Sequence, residues 1–460
     1  MNFSNDQVWY AYILLCAGFH FFLQSRAYNK LTDWDSSSHL YDGFLRNKEL
    51  NIFSSYTYGL KWIMPIMYKY FFKFFSNKTF DHRIINTFFG LFLILQFSHF
   101  GTLNFQPRSF LWMGILVLLI NSLQIKFHSS ATEFLDTPIL LFIFNLIPNL
   151  KSPNFIILFS LIIIFSSFAF KSINILYVIP LISFYYKTIL TNKVILSLLI
   201  FMICCGIIIL SRNVLKKINQ YQKSRGFIHP KGIRYMICNP FWLILNIYTS
   251  YEIILQNDFF ITSIIITSWA ILIFQKSLVS YFWYPVVIFN LYYWNVLNIE
   301  FGNYFTFVSL IVITKMSLGS IGYIFFPKYI EEIFYFLTLG YLKIKNFKQA
   351  RLDQESINWV KNNLDKNHKI YLWGSKTLIP LACQLEHVED TYFTHNHLFF
   401  WTFIKDKFNY AKNTILKKDP KYIIEAGVIK EIGVFPEAEF IKIYKKIYDQ
   451  NNIKIFEKYR

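Results

Sequence analysis

Two small groups of carboxylates stand where a general base is useful. Asp33 and Asp35 flank Trp34, and Ser36, Ser37, Ser38 and His39 follow. Glu133 and Asp136 lie in Thr132-Glu133-Phe134-Leu135-Asp136-Thr137-Pro138, directly ahead of an apolar run. Carboxylates that face one another across a cavity can serve as a base and its support. The same residues also suit a structural role. Asp35 before three serines is a good helix N-cap, and Asp136-Thr137-Pro138 is a good helix start. The third chemical feature is cationic. Residues 212–234 hold seven basic side chains and no acidic ones: Arg212, Lys216, Lys217, Lys223, Arg225, Lys231 and Arg234. Such a segment fits an anionic lipid phosphate or headgroup, or an amphipathic helix lying on lipid. His395 and His397 lack a third ligand at metal-binding spacing, so no metal site is expected there.

The elements that must position these residues are apolar. The chain has 460 residues, of which 54% are hydrophobic and 20% aromatic. Charged residues make up only 16%, well below the soluble-protein norm of about 25%. Mean hydropathy is +0.35. Disorder is excluded by this composition. A disulfide scaffold is excluded as well, because five cysteines are sparse and odd in number. The net charge of +19 invites a nucleic-acid reading, yet no nucleic-acid module is visible.

Uncharged or nearly uncharged runs recur at residues 9–23, 84–97, 110–125, 137–150, 154–170, 172–186, 194–211, 241–255, 259–274, 281–297, 304–313 and 317–339. The runs are continuous rather than alternating, which excludes a β-barrel. A helix spans a bilayer with about 20 residues. The expected fold is therefore a polytopic α-helical membrane protein of about 11–13 spans. The first run lacks a basic leader and a small-residue cleavage site, so it reads as a retained helix. With the N-terminus inside, the loops holding Arg108, Lys151, Lys187 and Lys193 fall on the cytoplasmic side, and the basic segment falls outside. Cys204-Cys205 within a run reads as packing. Tyr281-Phe282-Trp283-Tyr284 reads as an interfacial aromatic belt.

Four pieces follow. Residues 1–340 form the transmembrane domain, with a first extracytoplasmic loop at 25–82 and the basic extracytoplasmic segment at 211–239. Residues 341–460 form a small α/β domain, where charge rises and apolar runs shorten. There, Lys369-Ile370-Tyr371-Leu372-Trp373 reads as a strand stopped by Gly374. Residues 377–385 read as a short helix and Lys421-Tyr422-Ile423-Ile424 as a second strand. Residues 440–448 read as a helix, and Ile453-Lys454-Ile455-Phe456 as a last strand. No Gly-rich phosphate loop follows the first strand.

The carboxylate groups sit in a familiar order. Trp34-Asp35, then His39 and Gly43-Phe44, then Arg46-Asn47-Lys48-Glu49 and Phe53 resemble the first loop of protein O-mannosyltransferases and related GT-C glycosyltransferases, including aminoarabinose-transferase-like members. Tyr56-Thr57-Tyr58-Gly59 replaces that family's His-Pro-Pro segment. Arg83-Ile84-Ile85-Asn86 with Gly90 is similar to its next span. Leu135-Asp136-Thr137-Pro138-Ile139-Leu140-Leu141-Phe142 resembles its second carboxylate motif. In the tail, Tyr371-Leu372-Trp373-Gly374 and Pro420-Lys421-Tyr422-Ile423-Ile424 stand in the matching order. The likeness covers the first ~150 residues and, less fully, the tail. Ser36 stands where the family has Glu, which puts weight on Asp33.

The resemblance implies a sugar transferred from a polyprenyl-phosphate carrier to a glycan, lipid or protein acceptor, with inversion, on the periplasmic side of a bacterial inner membrane. It implies Asp35 or Asp33 as base, with Asp136 and Glu133 orienting. Arg83, Arg212, Lys216, Lys217, Arg225, Lys231 and Arg234 are implied at the donor phosphate, and His39, Tyr56 and Tyr58 at the acceptor or sugar. No cofactor beyond the lipid-linked donor is expected. Divalent-metal dependence varies in the family, and no metal ligand is assigned. The alternatives are an O-antigen polymerase or ligase, in which Arg225 and His229 are central, and a lipid-linked glycan flippase without chemistry.

Overall fold

The computed structural model describes residues 5–28, 41, 43–45, 70, 83–103, 107–126, 133–149, 154–169, 172–191, 197, 200, 204, 240–274, 283–297, 299, 346–374, 376–388, 407–427 and 433–459. The protein is mostly helical with a small sheet. The chain divides into two compact units. One holds Met1–Lys30 and Arg83–Lys343, the other Leu31–His82 and Ile344–Arg460. The first loop thus groups with the C-terminal unit, whereas the sequence reading placed it in the transmembrane domain.

In the first unit the apolar runs become α1 (Asn5–Tyr28), α2 (Arg83–Leu103), α3 (Pro107–Lys126), α4 (Glu133–Leu146), α5 (Asn154–Ala169), α6 (Val178–Thr191), α7 (Pro240–Leu255), α8 (Phe259–Phe274) and α9 (Tyr284–Val296). Short 3₁₀ segments, Ile147–Asn149 and Ser172–Tyr177, follow α4 and precede α6. The runs at 304–313 and 317–339 lie outside the described residues, as does most of 194–211. Among the described residues, one helix is long and apolar enough to cross a bilayer, over Asp6–Ser25. The other apolar helices are shorter.

Helix α9 is buried at nearly every position, from Tyr284 to Asn290 and again from Tyr292 to Trp294. A helix that is apolar all round belongs in the middle of a bundle. Helix α9 accordingly packs against α3, α4, α7 and α8. Helix α1 packs on α2 and α3. Trp9 Nε1 donates to the Ser98 carbonyl at 2.9 Å, and the Tyr12 hydroxyl to the Phe110 carbonyl at 2.8 Å. Trp283 and Tyr284 are buried in this bundle rather than forming an outward belt. Cys204, read as a packing residue, is exposed.

Among the described residues the surface of this unit carries many exposed apolar side chains, and its apolar core encloses small polar clusters. Leu14 and Phe88 are each 73% exposed, and Leu95, Ile247, Ile266 and Ile273 are exposed too. Inside, polar side chains meet each other. His20 Nδ1 lies 3.0 Å from Asn121 Oδ1, which also accepts from Gln24 Nε2 at 3.1 Å. Gly90 makes room for this imidazole, since a Cβ there would lie 2.3 Å from His20 Nε2. A second cluster joins α7, α8 and α9. Trp269 Nε1 donates to Ser250 Oγ at 2.7 Å, and Ser250 donates to Asn290 Oδ1 at 3.0 Å.

The second unit contains α10 (Asn346–Asn363), β1 (Ile370–Gly374), α11 (Leu378–Cys383), α12 (Lys407–Lys418), β2 (Tyr422–Ala426), α13 (Glu437–Phe440), β3 (Tyr444–Gln450) and β4 (Ile453–Lys458). The sheet order is β1-β2-β4-β3. Strands β1 and β2 are parallel, and β4 runs antiparallel to both β2 and β3. Residues 440–448 were expected to be helical, yet Tyr444–Gln450 is a strand. The deciding feature is the turn. Asn451 and Asn452 both have positive φ, 59° and 58°, which is the conformation a tight hairpin needs. Tyr444 and Tyr448 are buried while Lys445 and Lys446 are exposed, a pattern bent by a bulge between Lys446 and Tyr448.

Strands β1 and β2 are buried at every position. Tyr371, Trp373, Ile423 and Phe456 pack with Ala411 and Ile415 of α12 and with Phe435 and Phe440. Glu425 is the buried carboxylate of β2. Its Oε1 accepts the Phe435 amide at 2.7 Å, and Lys454 Nζ stands 3.5 Å from Oε2, an ion contact without hydrogen-bond geometry. The hydrogen bond from Lys454 holds the Glu437 carboxyl below its ordinary range. Burial pushes the Cys383 thiol up to about 12, which marks it as a packing residue.

Gly374 ends β1 with φ +129°, and a Cβ there would lie 2.0 Å from the Ala426 carbonyl oxygen. Both the backbone conformation and the approach of β2 require glycine. Gly374→Ala is expected to destabilise this unit by about 3 kcal/mol. Hydrogen exchange of the full chain checks this: protection across β1 and β2 should fall sharply in the variant, and wild-type protection would contradict the account.

Candidate active site

Among the described residues, Asp136 is the acidic side chain buried most deeply in the helical unit. It lies in the first turn of α4 and is 2% exposed. Asn174 Nδ2 donates to its Oδ2 at 2.7 Å, and Thr137 Oγ1 donates to its Oδ1 at 3.3 Å. Asn174 is carried by the 3₁₀ segment Ser172–Tyr177. That segment therefore does more than connect α5 to α6: it delivers an amide to a carboxylate that has left water.

The surroundings explain how the acid is tolerated. A carboxylate near a helix N-terminus is favoured by the unpaired amides there. A hydrogen bond to an ionised group is worth about 1.5–3 kcal/mol. Pro138 sits two residues further on and interrupts the regular helix bonding. Gln96 of α2 donates to the Pro138 carbonyl at 2.9 Å, which ties α2 to this turn. On the far side is α9. The Phe134 ring, two residues before Asp136, meets Tyr284 edge-on at 4.7 Å. The Tyr284 hydroxyl and Gln96 Oε1 are buried with no hydrogen-bond partner among the described residues. The arrangement can hold a proton-accepting carboxylate in fixed orientation, with an unpartnered phenol and amide oxygen on the neighbouring helices α9 and α2.

Of the residues expected at a site, Asp136 is placed here. Glu133 opens α4 and Arg83 opens α2, with their side chains outside the described ones. Asp33, Asp35, His39, Tyr56, Tyr58, Arg212, Lys216, Lys217, Arg225, Lys231 and Arg234 lie outside the described residues, as do His395 and His397. Asn174, Tyr284 and Gln96 were not anticipated. Their signal was available: each is a polar group inside an apolar run, where an unpartnered amide or phenol is costly.

The first loop is visible at one anchor. Tyr41 and Phe44 are buried in the C-terminal unit, with rings stacked 6.0 Å apart. The Tyr41 hydroxyl donates to the Leu385 carbonyl at 2.8 Å. This contact joins residues 344 apart in the chain. Tyr41 follows Asp35 by six positions in the sequence.

Among the described residues no group of three His, Cys, Asp or Glu side chains could hold a metal ion. No family model matches the chain, and no curated protein or solved structure matches it either.

The Asp136–Asn174 contact is testable as a pair. Asp136→Ala and Asn174→Ala, alone and together, should show a coupling energy of about 1.5–3 kcal/mol in denaturation from detergent micelles. Strict additivity would show that the carboxylate does not depend on this amide.

Proposed function

We propose that this chain is a polytopic membrane glycosyltransferase of the GT-C type, taking its sugar from a polyprenyl-phosphate carrier. The observation that carries the reading is Asp136, buried and amide-held at the start of α4, in the motif Leu135-Asp136-Thr137-Pro138. An ionisable residue inside an apolar bundle is a functional residue by default. Membrane embedding is supported by the outward apolar surface around inward polar clusters. The apolar stretch Asp6–Ser25 of α1, 20 residues, reaches about 30 Å. The hydrocarbon core is about 30 Å thick.

In this reading the acceptor hydroxyl gives its proton to Asp35, or to Asp33, as its oxygen attacks the anomeric carbon. The carbon–oxygen bond to the carrier phosphate breaks with inversion, and polyprenyl phosphate leaves. Asp136, held by Asn174, orients the acceptor side. Arg83 and the basic residues of 212–234 stabilise the phosphate as charge builds on it. The acceptor is a glycan, lipid or protein on the extracytoplasmic face.

A second reading has its own support. The Pro138 break in α4 and the 3₁₀ segment beside Asp136 resemble the interrupted helices of transporters. A lipid-linked glycan flippase would bind the same donor and release no product.

Transfer from a panel of polyprenyl-phosphate sugars to membrane extracts separates the two. The glycosyltransferase reading expects free polyprenyl phosphate and a mass-shifted acceptor. It expects Asp35→Asn and Asp136→Asn each to lower turnover by about a hundredfold or more at normal expression. Full activity in both variants sinks the assignment of these carboxylates. Donor translocation without product favours the flippase.

A further inference from the structure

The C-terminal unit contains a cavity unrelated to Asp136. It has a volume of about 530 Å³ and is lined by His368, Lys369, Val388, Lys418, Asp419, Pro420, Lys421 and Lys458. Four lysines thus meet one carboxylate. The cavity lies where the first residues of the parallel strands β1 and β2 meet the last residue of β4. The Lys458 amide donates to the Lys421 carbonyl at 2.9 Å, which fixes two of the cations side by side.

Each lysine has an ordinary partner taken singly, and their convergence on one concavity is what those partners leave unexplained. Lys418 ends α12, where a cation complements the helix dipole. Lys369 and Lys421 pair with Glu386 and Glu457 at 3.8 and 3.2 Å, and neither acid lines the cavity. Within the cavity Asp419 is the sole counter-charge, bonded to Lys458. Asp419 also adopts a left-handed backbone, φ 52°, at a position where a helix usually ends in Gly or Asn. Three of the four lysines are thus ion-paired, and the lining itself still carries four cations against one carboxylate, an excess that attracts anions.

We propose that this cavity binds a phosphoryl group carried on a polar organic body. Lysine ammoniums are point charges suited to a multiply charged tetrahedral group, and the lining has no arginine fork to match a planar carboxylate. The volume is in the range of small-ligand sites, roughly 300–1,000 Å³, and exceeds what a bare phosphate needs. Val388 and Pro420 supply an apolar wall for the organic part. Two sources carry this chemistry, a soluble sugar phosphate and a phospholipid headgroup. The inference stands apart from the catalytic assignment, because it uses no residue of that site.

The test uses the full chain in neutral detergent micelles. Glucose 6-phosphate, dioctanoyl phosphatidic acid and, as a control, glucose are titrated in turn. Phosphorus NMR line broadening and displacement of one phosphate ligand by the other are read for the first two, and a thermal shift for all three. Broadening by both phosphates, with none of the thermal shift from glucose, supports a soluble phosphoryl ligand. Response to phosphatidic acid alone assigns the site to a lipid headgroup. Lys369→Gln with Lys418→Gln should weaken binding about tenfold or more, with the thermal midpoint of the free protein unchanged. Asp419→Asn keeps a residue that tolerates the left-handed backbone and should tighten binding severalfold. No response to either phosphate, or equal response in the lysine variant, overturns the proposal.

Discussion

Buried polar contacts between helices hold the helical unit together, because a buried polar group without a partner is costly. Amides, hydroxyls and an imidazole meet partners on neighbouring helices, while the Tyr284 hydroxyl and Gln96 Oε1 have none among the described residues. His20, Gln24 and Asn121 do so between α1 and α3. Asn246, Ser250, Trp269 and Asn290 do so among α7, α8 and α9. These contacts fix which helices are neighbours, since apolar side chains alone attract without direction. In a lipid surrounding they also replace the hydrophobic drive between helices, which is weak when the solvent is itself apolar.

Asp136 is the costliest instance of the same constraint. A carboxylate out of water needs donors, and Asn174 and Thr137 provide them. The 3₁₀ segment carrying Asn174 and the proline-broken turn carrying Asp136 are both departures from regular helix. Irregular backbone inside an apolar bundle is tolerated where it lines a cavity or is buried in protein. Here the two irregularities meet at one carboxylate. The functional reading of the unit rests on that coincidence more than on any single residue.

The sequence revealed elements better than partners. Long apolar runs announced α1 to α9, and Gly374 and Asp419-Pro420 announced the ends and beginnings of β1 and β2. The Tyr444–Gln450 strand was missed because its burial skips across a bulge, which mimics helical spacing. The Asn451-Asn452 turn was the better signal, since two consecutive positive-φ positions serve a hairpin and not a helix. At the site, Asp136 was legible because an acid beside an apolar run is rare. Asn174 and Tyr284 offered only the weaker signal of a polar group inside an apolar run, because their role exists only once α4, α9 and the 3₁₀ segment come together. The Tyr41 anchor was invisible for the same reason: nothing local to residue 41 points to Leu385.

Lipid exposure of the helical unit is the claim on which the account turns. Nitroxide labels at Leu14, Phe88 and Ile266, each on the exposed apolar surface, can be compared with one at exposed Ile441 of the α/β unit. In reconstituted bilayers, collisions with oxygen should exceed those with a water-soluble nickel chelate at the first three positions. The order should reverse at Ile441. Dominant collision with the nickel chelate at Leu14, Phe88 and Ile266 would contradict the account.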